Sequence, residues 1–177
     1  MDIMEAIRNR RSVRDYSDKP IPKDVMEELK EALRVAPSAC NYQPWKFILV
    51  TDAELRRKVA EASNKQMWMA DAPVIVVAVG FPGTAYTHMG GAGNSVDVDL
   101  GIALDHLTLA ATAQGIGTCW IGAFREEAVR ELLGIPASCK IVALTPLGYP
   151  GRPDLLRPVP EGKRKPASEI FCENRFE

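Results

Sequence analysis

The feature that most limits how this chain can fold is a segment, residues 97–114, that is apolar around most of a helical circumference. The apolar positions are Val98, Leu100, Ile102, Ala103, Leu104, Leu107, Leu109, Ala110 and Ala113. A surface helix keeps one polar face, whereas this segment offers little polar surface to water. We therefore expect a helix that lies in the protein core or in a subunit interface.

The strands predicted around this helix include one that is apolar on both faces. Residues 74–79 form an unbroken run of valine, isoleucine and alanine, which is typical of a strand covered on both sides. Further strands are predicted at residues 46–50, 118–122 and 141–147. The chain therefore contains enough strands for a central sheet.

Four other helices are predicted, at residues 3–7, 24–36, 51–62 and 126–133. Pro37 stops the second, and Gly134 ends the fourth. Thr51 and Glu54 have the spacing of a capping box at the start of the third. Because helices and strands mix without strict βαβ alternation, we expect an α+β fold with a central sheet, in a single domain of residues 1–177.

Two segments have no helical or strand pattern. Residues 81–95 are rich in glycine, proline and asparagine, and a loop of this length is more common in functional lids than in simple connections. Whether it acts as a lid stays open. The tail after Gly148 is rich in proline, so we expect it to be extended and to lie on another surface, such as a partner subunit.

Composition excludes several classes of protein. The chain has 177 residues, of which 46% are hydrophobic and 25% charged, and a net charge of -1, which argues against general affinity for nucleic acid. The longest apolar stretches are too short or too polar to span a bilayer, and residues 1–11 lack the apolar region of a signal peptide. We expect a cytoplasmic protein with neither a membrane nor a nucleic acid as partner.

The usual catalytic motifs are missing from the sequence. There is no G-x-S-x-G elbow, and the only histidines are His88 and His106. The four cysteines are widely separated, and no metal-binding spacing occurs, so no metal site is expected. A dinucleotide fingerprint and a P-loop are also absent. The chemistry is therefore expected to be carried by a cofactor.

Two basic clusters stand out in a chain that is otherwise neutral. Their members are Arg8, Arg10, Arg11 and Arg14 near the start, and Arg157, Lys163, Arg164 and Lys165 near the end. If folding brings the clusters together, their charge-assisted hydrogen bonds could anchor the phosphate of a mononucleotide, with hydroxyls added by Ser12 or Ser38. A charge run more often forms a solvated face, so the pattern alone leaves both interpretations open.

Three motifs together resemble the FMN-dependent nitroreductase family. Residues 10–14, RRSVR, match the family's R-R/H-S-x-R/K signature. Residues 37–47, PSACNYQPWKF, match its P-S-x-x-N-x-Q-P-W-x-F loop, and residues 115–122, GIGTCWIG, are similar to its G-L-G-x-x-W-I-G segment. The order and spacing of the motifs also agree, and the resemblance extends over residues 2–166.

This resemblance implies an intertwined homodimer of the nitroreductase-like fold. A central, mostly antiparallel sheet flanked by helices is expected, with an extended C-terminal tail and two FMN sites at the subunit interface. NAD(P)H is the implied reductant. The implied cofactor-binding residues are Arg10, Arg11, Ser12, Arg14, Pro37, Ser38, Ala39, Asn41, Gln66, Trp120, Ile121, Gly122 and Arg164.

The resemblance also implies a role for most of these residues. Residues 10–14 match positions that hold the phosphate and the pyrimidine side of the flavin, and residues 37–41 match positions contributed by the opposite subunit. Residues 120–123 match the segment beside the ring, and Gln66, next to Lys65, falls where a ring contact is common. Arg164 matches a phosphate-binding arginine, but the family's lysine two residues earlier is Gly162, so Lys163 or Lys165 is expected to replace it.

The implied chemistry takes place on the cofactor, with no catalytic side chain. In a ping-pong cycle, NAD(P)H and then a nitroaromatic, quinone or flavin acceptor use the same open face of the flavin ring. Arg14 and the backbone N–H of Gly122 are expected to give electrostatic support to the reduced flavin.

Several functional alternatives remain open at this stage. A specialised flavin reaction, such as dehalogenation or flavin fragmentation, is one, and a non-catalytic flavin-binding protein with a blocked ring face is another. A small phosphate-binding or nucleic-acid-binding module would depend on the basic clusters alone. The physiological substrate and the preference between NADH and NADPH cannot be determined from these residues.

Overall fold

Four antiparallel strands form a sheet at the centre of the computed structural model, which describes residues 1–160 and 162–176. The strands are β1 (Trp45–Val50), β2 (Val74–Gly80), β3 (Gly117–Thr118) and β4 (Lys140–Gly148), in the order β1-β2-β4-β3. The α-helices of the described residues are α1 (Ile3–Asn9), α2 (Lys23–Arg34), α3 (Ala53–Ala62), α4 (Val96–Ala113) and α5 (Glu126–Leu133). The α+β fold class is therefore confirmed.

The unbroken apolar run of β2 has a direct structural cause. Val74, Val76 and Ala78 face a core shared with α2 and α4. Residues 75, 77 and 79 point to the other face, into a second core shared with α3 and α5. Because side chains alternate along a strand, a strand between two helical layers must be apolar at every position.

Helix α4 is buried along only one side of its circumference. Leu100, Leu104 and Leu107 are fully buried against the sheet. On the opposite side Val98 is 47% exposed, and Leu109 is half-buried. One side of the helix therefore lies in the core, and Val98 on the other side is exposed in the described residues. A subunit interface at this exposed side stays a prediction.

The ends of several elements differ from the predictions. Helix α2 stops at Arg34, before Pro37, since proline restricts the residue that precedes it. The N-cap of α3 is Asp52 rather than Thr51: the Leu55 N–H donates to the Asp52 carboxylate (2.8 Å). Gly134 adopts the left-handed conformation at the end of α5, as predicted.

Strand β3 is shorter than the predicted residues 118–122. It consists of Gly117 and Thr118, and the chain then leaves β4 before Ile121 pairs with Leu144 in an isolated bridge. The pattern of apolar residues extends across this interruption, since Cys119 and Ile121 are both buried. Periodicity alone therefore overestimates the length of the strand.

The described part of the C-terminal tail runs over the surface, and bends and turns interrupt it, so it is less extended than predicted. Short 3-10 turns occur at Pro153–Leu155 and Ala167–Glu169. Phe171 is 75% exposed, and Ile170 and Phe176 are also exposed. In the part of the chain that the structure describes, no helix combines the length and the apolar character needed to cross a membrane.

Candidate functional site

Backbone pairing holds the first basic cluster against the edge of the sheet. The Val13 N–H donates to the Thr118 carbonyl (2.8 Å), and Ser12 forms a parallel bridge with Thr118. Val13 is buried, whereas its neighbours Ser12 and Arg14 are exposed. Alternation along the extended segment therefore directs the two polar side chains away from the core.

Gly117 allows this close approach of the two segments. A Cβ atom at Gly117 would lie 2.9 Å from the Cβ of Val13, which is shorter than real contacts between such atoms. Any larger residue would push the 10–14 segment away from β3. The second glycine of the GIGTCWIG motif is thus required for packing.

The two basic clusters meet at a pocket of about 350 Å³, here called the basic pocket. It is lined by Arg10, Arg11, Ser12, Arg14, Val159, Pro160, Lys163 and Arg164. Residues more than 140 positions apart in the sequence therefore share one cavity. This is the arrangement that an anchoring site for phosphate requires.

Arg11 is the most constrained cation of the basic pocket. Its Nη1 donates to the Arg10 carbonyl (2.9 Å), and its Nη2 is buried with no hydrogen-bond partner among residues 1–160 and 162–176. Burial, followed by the like charges of Arg164, Arg10 and Arg157, lowers the pKa of Arg11 from its ordinary value. A guanidinium whose buried Nη2 has no partner in the described part of the chain, and which lies among like charges, fits a phosphate group that would supply both acceptor and countercharge.

The structure distinguishes between the two lysines considered as replacements at the Gly162 position. Lys163 lines the basic pocket beside Arg164. Lys165 does not line it, and its Nζ lies 3.7 Å from a carboxylate oxygen of Glu169. Lys163 is therefore the lysine that geometry makes available to a bound phosphate.

Arg14 is placed between the basic pocket and an aromatic pair. Its guanidinium carbon lies 6.0 Å from the centre of the Trp68 ring, and Trp68 stacks on Tyr16 with the ring centres 6.3 Å apart. The Tyr16 hydroxyl donates to the Val13 carbonyl (2.9 Å). Trp68 thus packs against Arg14 and the buried core.

The segment predicted to run beside a flavin ring follows Thr118 directly. Trp120 is 41% exposed, and the backbone of Ile121 is tied to that of Leu144. A Cβ at Gly122 would meet no atom within 4 Å, so this position borders open space. Gln66 lies beside the segment, because its Nε2 donates to the Ala123 carbonyl (3.2 Å).

The loop with Pro37, Ser38, Ala39 and Asn41 does not join the basic pocket within one chain. The Ala39 N–H donates to the carboxylate of Asp99 (2.9 Å), near the N-terminal end of α4. The basic pocket lies beside Thr118, beyond the C-terminal end of α4. The helix from Asp99 to its end is about 21 Å long, so the two sets of predicted residues are at opposite ends of α4.

Three polar residues near these sites had no role in the sequence-based prediction. Asp99 is almost fully buried within an apolar helix, which is itself an unusual place for a carboxylate and a signal that was available in the sequence. Thr118 Oγ1 is buried without a hydrogen-bond partner in the described residues. Burial raises the pKa of the Cys119 thiol, and this effect is opposed by Arg14, Ser12 and Arg10.

Comparison of the sequence with protein-family models gives one match that covers most of the chain. The model of the nitroreductase family matches residues 7–68 and 63–149. These ranges contain the RRSVR segment, the PSACNYQPWKF loop and the GIGTCWIG segment.

Three individual proteins show the extent of the similarity. A protein of Archaeoglobus fulgidus with the provisional name NADH dehydrogenase/NAD(P)H nitroreductase is 36% identical over 84% of this chain and 86% of its own length. The crystal structure of a nitroreductase family protein from Clostridium difficile superimposes with a TM-score of 0.88 at 27% identity, covering 99% of this chain and 100% of that chain. NADPH:FMN oxidoreductase from Vibrio harveyi, in complex with NAD⁺, superimposes with a TM-score of 0.84 at 26% identity, covering 99% of this chain and 78% of that chain.

Proposed function

The chain belongs to the nitroreductase family, and on this basis we propose that it is an FMN-dependent oxidoreductase that transfers electrons from NAD(P)H to nitroaromatic, quinone or flavin acceptors. The observation that carries the proposal is the basic pocket, in which cations from both ends of the chain converge and a buried donor of Arg11 has no partner among the described residues. NAD(P)H as reductant agrees with the names of the similar proteins.

We propose that the basic pocket holds the phosphate of FMN. Arg10, Arg11, Lys163 and Arg164 supply positive charge, and Ser12 supplies a hydroxyl. The phosphate of FMN carries up to two negative charges, and hydrogen bonds between ionised partners are about twice as strong as neutral ones. The pocket can therefore anchor a mononucleotide without a P-loop.

The remaining predicted residues would orient the ring of the cofactor. When bound, FMN supplies the redox chemistry by accepting two electrons from NAD(P)H and passing them to the second substrate in a ping-pong cycle. Arg14 lines the basic pocket and lies against Trp68, and its charge would stabilise the reduced flavin ring. Gly122 has an open space beside its Cα, which lets a flat ring approach the backbone N–H.

We propose that residues 1–177 form one FMN-binding domain that works as a homodimer with shared sites. Residues 37–41 and the basic pocket are at opposite ends of α4. In one chain, they therefore cannot both contact the phosphate of the same FMN. A second copy could bring its own 37–41 loop to the ring side of the cofactor.

Two apolar surfaces support the homodimer. The outer face of α4 is uncovered around Val98, and α1 exposes Ile3, Met4 and Ile7. Between α1, α2 and α4 lies a largely apolar cavity of about 460 Å³, which includes Val35. Contiguous exposed apolar surface is uncommon on free monomers and marks interaction sites.

Because NAD(P)H is the proposed electron donor, we also propose that the enzyme acts in the cytoplasm.

The test is an anaerobic titration of the purified protein, followed by absorbance. We expect flavin bands that bleach on addition of NADH or NADPH and return on addition of a quinone or nitroaromatic compound. Bands that persist with both nucleotides would favour a non-catalytic flavoprotein. Bands that bleach but are not restored by any simple acceptor would favour specialised flavin chemistry. Absence of flavin after reconstitution with FMN would overturn the proposal.

A further inference from the structure

A buried carboxylate connects two loops at the N-terminal end of α4. Asp99 is 2% exposed, although it lies in a helix whose buried positions are otherwise mostly apolar. Its Oδ1 accepts from the Ala39 N–H (2.9 Å), and its Oδ2 accepts from the Ser95 hydroxyl (2.7 Å). A buried carboxylate is tolerated when its oxygens accept hydrogen bonds, so both bonds are required.

The bond to Ala39 has no equivalent in the rest of the loop. Gln43 N–H donates to Ser38 Oγ (2.9 Å), and the other hydrogen bonds of residues 37–43 also remain within residues 37–45. Among residues 1–160 and 162–176, Asp99 makes the one hydrogen bond that ties residues 37–43 to the helical layer. In the described residues, Asp99 is therefore the polar tether between this loop and α4.

The loop adopts a backbone conformation that needs such support. Cys40, Asn41 and Gln43 all have positive φ values, of 52°, 55° and 49°. L-residues other than glycine enter this left-handed region at a cost, and they remain there when the surroundings determine the conformation. Without its tether, the loop would lose one of the contacts that hold it in this form.

Ser95 extends the tether to the loop of residues 81–95. The Tyr86 N–H donates to Ser95 Oγ (3.1 Å), and the Ser95 N–H donates to the Tyr86 carbonyl (2.8 Å). A chain of hydrogen bonds thus runs from Tyr86 through Ser95 and Asp99 to Ala39. It joins the predicted partner-side loop to the loop that the sequence left open as a lid.

We propose that Asp99 is a positioning residue of the flavin site: it holds residues 37–41 in the conformation in which they contact the FMN bound to the basic pocket of a second subunit. This inference rests on the proposed function. Because the basic pocket already surrounds the phosphate, the loop contacts the ring or ribityl part of the cofactor. Loss of the tether therefore weakens the binding of FMN and of riboflavin by the same factor.

The experiment compares flavin affinities of the apoprotein dimers by titration. We expect Asp99→Ala to raise the Kd for FMN and for riboflavin by the same factor, about 10-fold to 100-fold, as for loss of a hydrogen bond to a charged group. Asp99→Asn should stay within about threefold, since its amide oxygen can still accept from Ala39 and its NH₂ can donate to Ser95. Glu131→Ala, at an exposed acidic position of α5 and away from the proposed interface, is the control and should not change either Kd.

Three results would overturn the proposal. Wild-type affinity in a folded Asp99→Ala dimer would show that the tether is not needed, and an equal loss in Asp99→Asn would show that the hydrogen bond is not the cause. A loss confined to FMN would place the effect at the phosphate. Failure of the wild-type protein to bind FMN would instead reject the proposed function.

Hydrogen exchange of the wild-type protein tests the tether without a variant. The Ala39 amide should exchange much more slowly than the exposed amides of the same loop, because its proton is bound to a buried carboxylate. Exchange of Ala39 at the rate of a free amide would overturn the proposal even if Asp99→Ala did not fold.

Discussion

At the scale of single residues, the site is dominated by an accumulation of positive charge. The basic pocket is lined by four arginines and one lysine, while the net charge of the whole chain is -1. Like charges at this distance repel each other, which is one reason that the pKa of Arg11 is lowered. The phosphate of the proposed FMN would compensate this charge.

The first prediction concerns the phosphate contacts. Arg10→Ala, Lys163→Ala and Arg164→Ala should each weaken FMN binding by about 10-fold to 100-fold, because each removes a charged donor. Lys165→Ala is the control: Lys165 is paired with Glu169 outside the pocket, so its loss should change the Kd by less than about twofold. Titration of the apoprotein with FMN measures all four, and full FMN occupancy in the Arg10 and Arg164 variants would reject the phosphate assignment.

The second prediction follows from the pKa of a buried tyrosine. Burial, with a smaller effect of Cys119, raises the pKa of the Tyr16 phenol, and burial raises that of the Cys119 thiol. Both neutral forms are therefore favoured in the folded state, so their contribution to stability is complete below the unfolded pKa values and is lost as the pH rises. With unfolded values of about 8.5 for cysteine and about 10 for tyrosine, the free energy of unfolding should fall above about pH 9.

Urea unfolding at a series of alkaline pH values measures this slope. Tyr16→Phe should lower stability at neutral pH, because the hydroxyl donates to the Val13 carbonyl, and should flatten the decrease above about pH 10. A variant with the same alkaline slope as the wild type would show that Tyr16 is not the titrating group.

At the scale of elements, the site depends on how closely β3 approaches the 10–14 segment. Gly117 and Gly148 are cross-strand partners, and both lack room for a Cβ: the nearest atoms would be Val13 Cβ at 2.9 Å and Pro73 Cδ at 2.8 Å. At this end of the sheet, the backbone of each glycine therefore lies directly against a neighbouring side chain. Small changes there would move the basic residues.

The third prediction tests this packing. Gly117→Ala should destabilise the protein by about 1–3 kcal/mol through overpacking against Val13, and should also weaken FMN binding, since Ser12 and Arg14 flank Val13. Gly83→Ala is the control, because a Cβ there would meet no atom within 4 Å. Thermal unfolding and FMN titration give the two readouts. Unchanged FMN affinity in a destabilised Gly117→Ala protein would show that this packing does not control FMN binding.

At the scale of the whole molecule, the distribution of apolar surface is asymmetric. The faces of the sheet are covered by α2 with α4 and by α3 with α5, whereas α1 and the outer face of α4 leave apolar side chains exposed. The C-terminal tail also exposes Phe171 and Phe176. A homodimer would bury such surfaces and would complete each proposed flavin site from two chains.

The fourth prediction concerns the homodimer. Val98→Glu places a charge on the exposed apolar face of α4 and should shift the protein to monomer with loss of FMN, because burying an unpaired charge in an interface is unfavourable. Glu61→Lys, at an exposed position on α3, should leave both properties unchanged. Sedimentation together with the flavin-to-protein ratio is the measurement. A monomer that retains one FMN per chain contradicts the shared site.

The sequence by itself determined the type and approximate range of the main elements and the family of the protein. Patterns such as the apolar run of β2 and the periodicity of α2 and α4 arise from local alternation and helical period, and they depend on nearest neighbours along the chain. The three motifs identified the family because they combine several uncommon residues at defined spacing. The Asp52 cap and the early end of β3 were missed, since competing caps and an interrupted strand look alike in a one-dimensional pattern.

Only the tertiary structure decided which distant residues meet. It joined the 10–14 segment to Lys163 and Arg164, separated Lys165 from them, and put residues 37–41 at the other end of α4. It also gave Asp99 a role as the tether of a loop 60 residues away. Contacts of this kind depend on sheet order, strand pairing and the length of α4, which are properties of the folded chain that no local pattern contains.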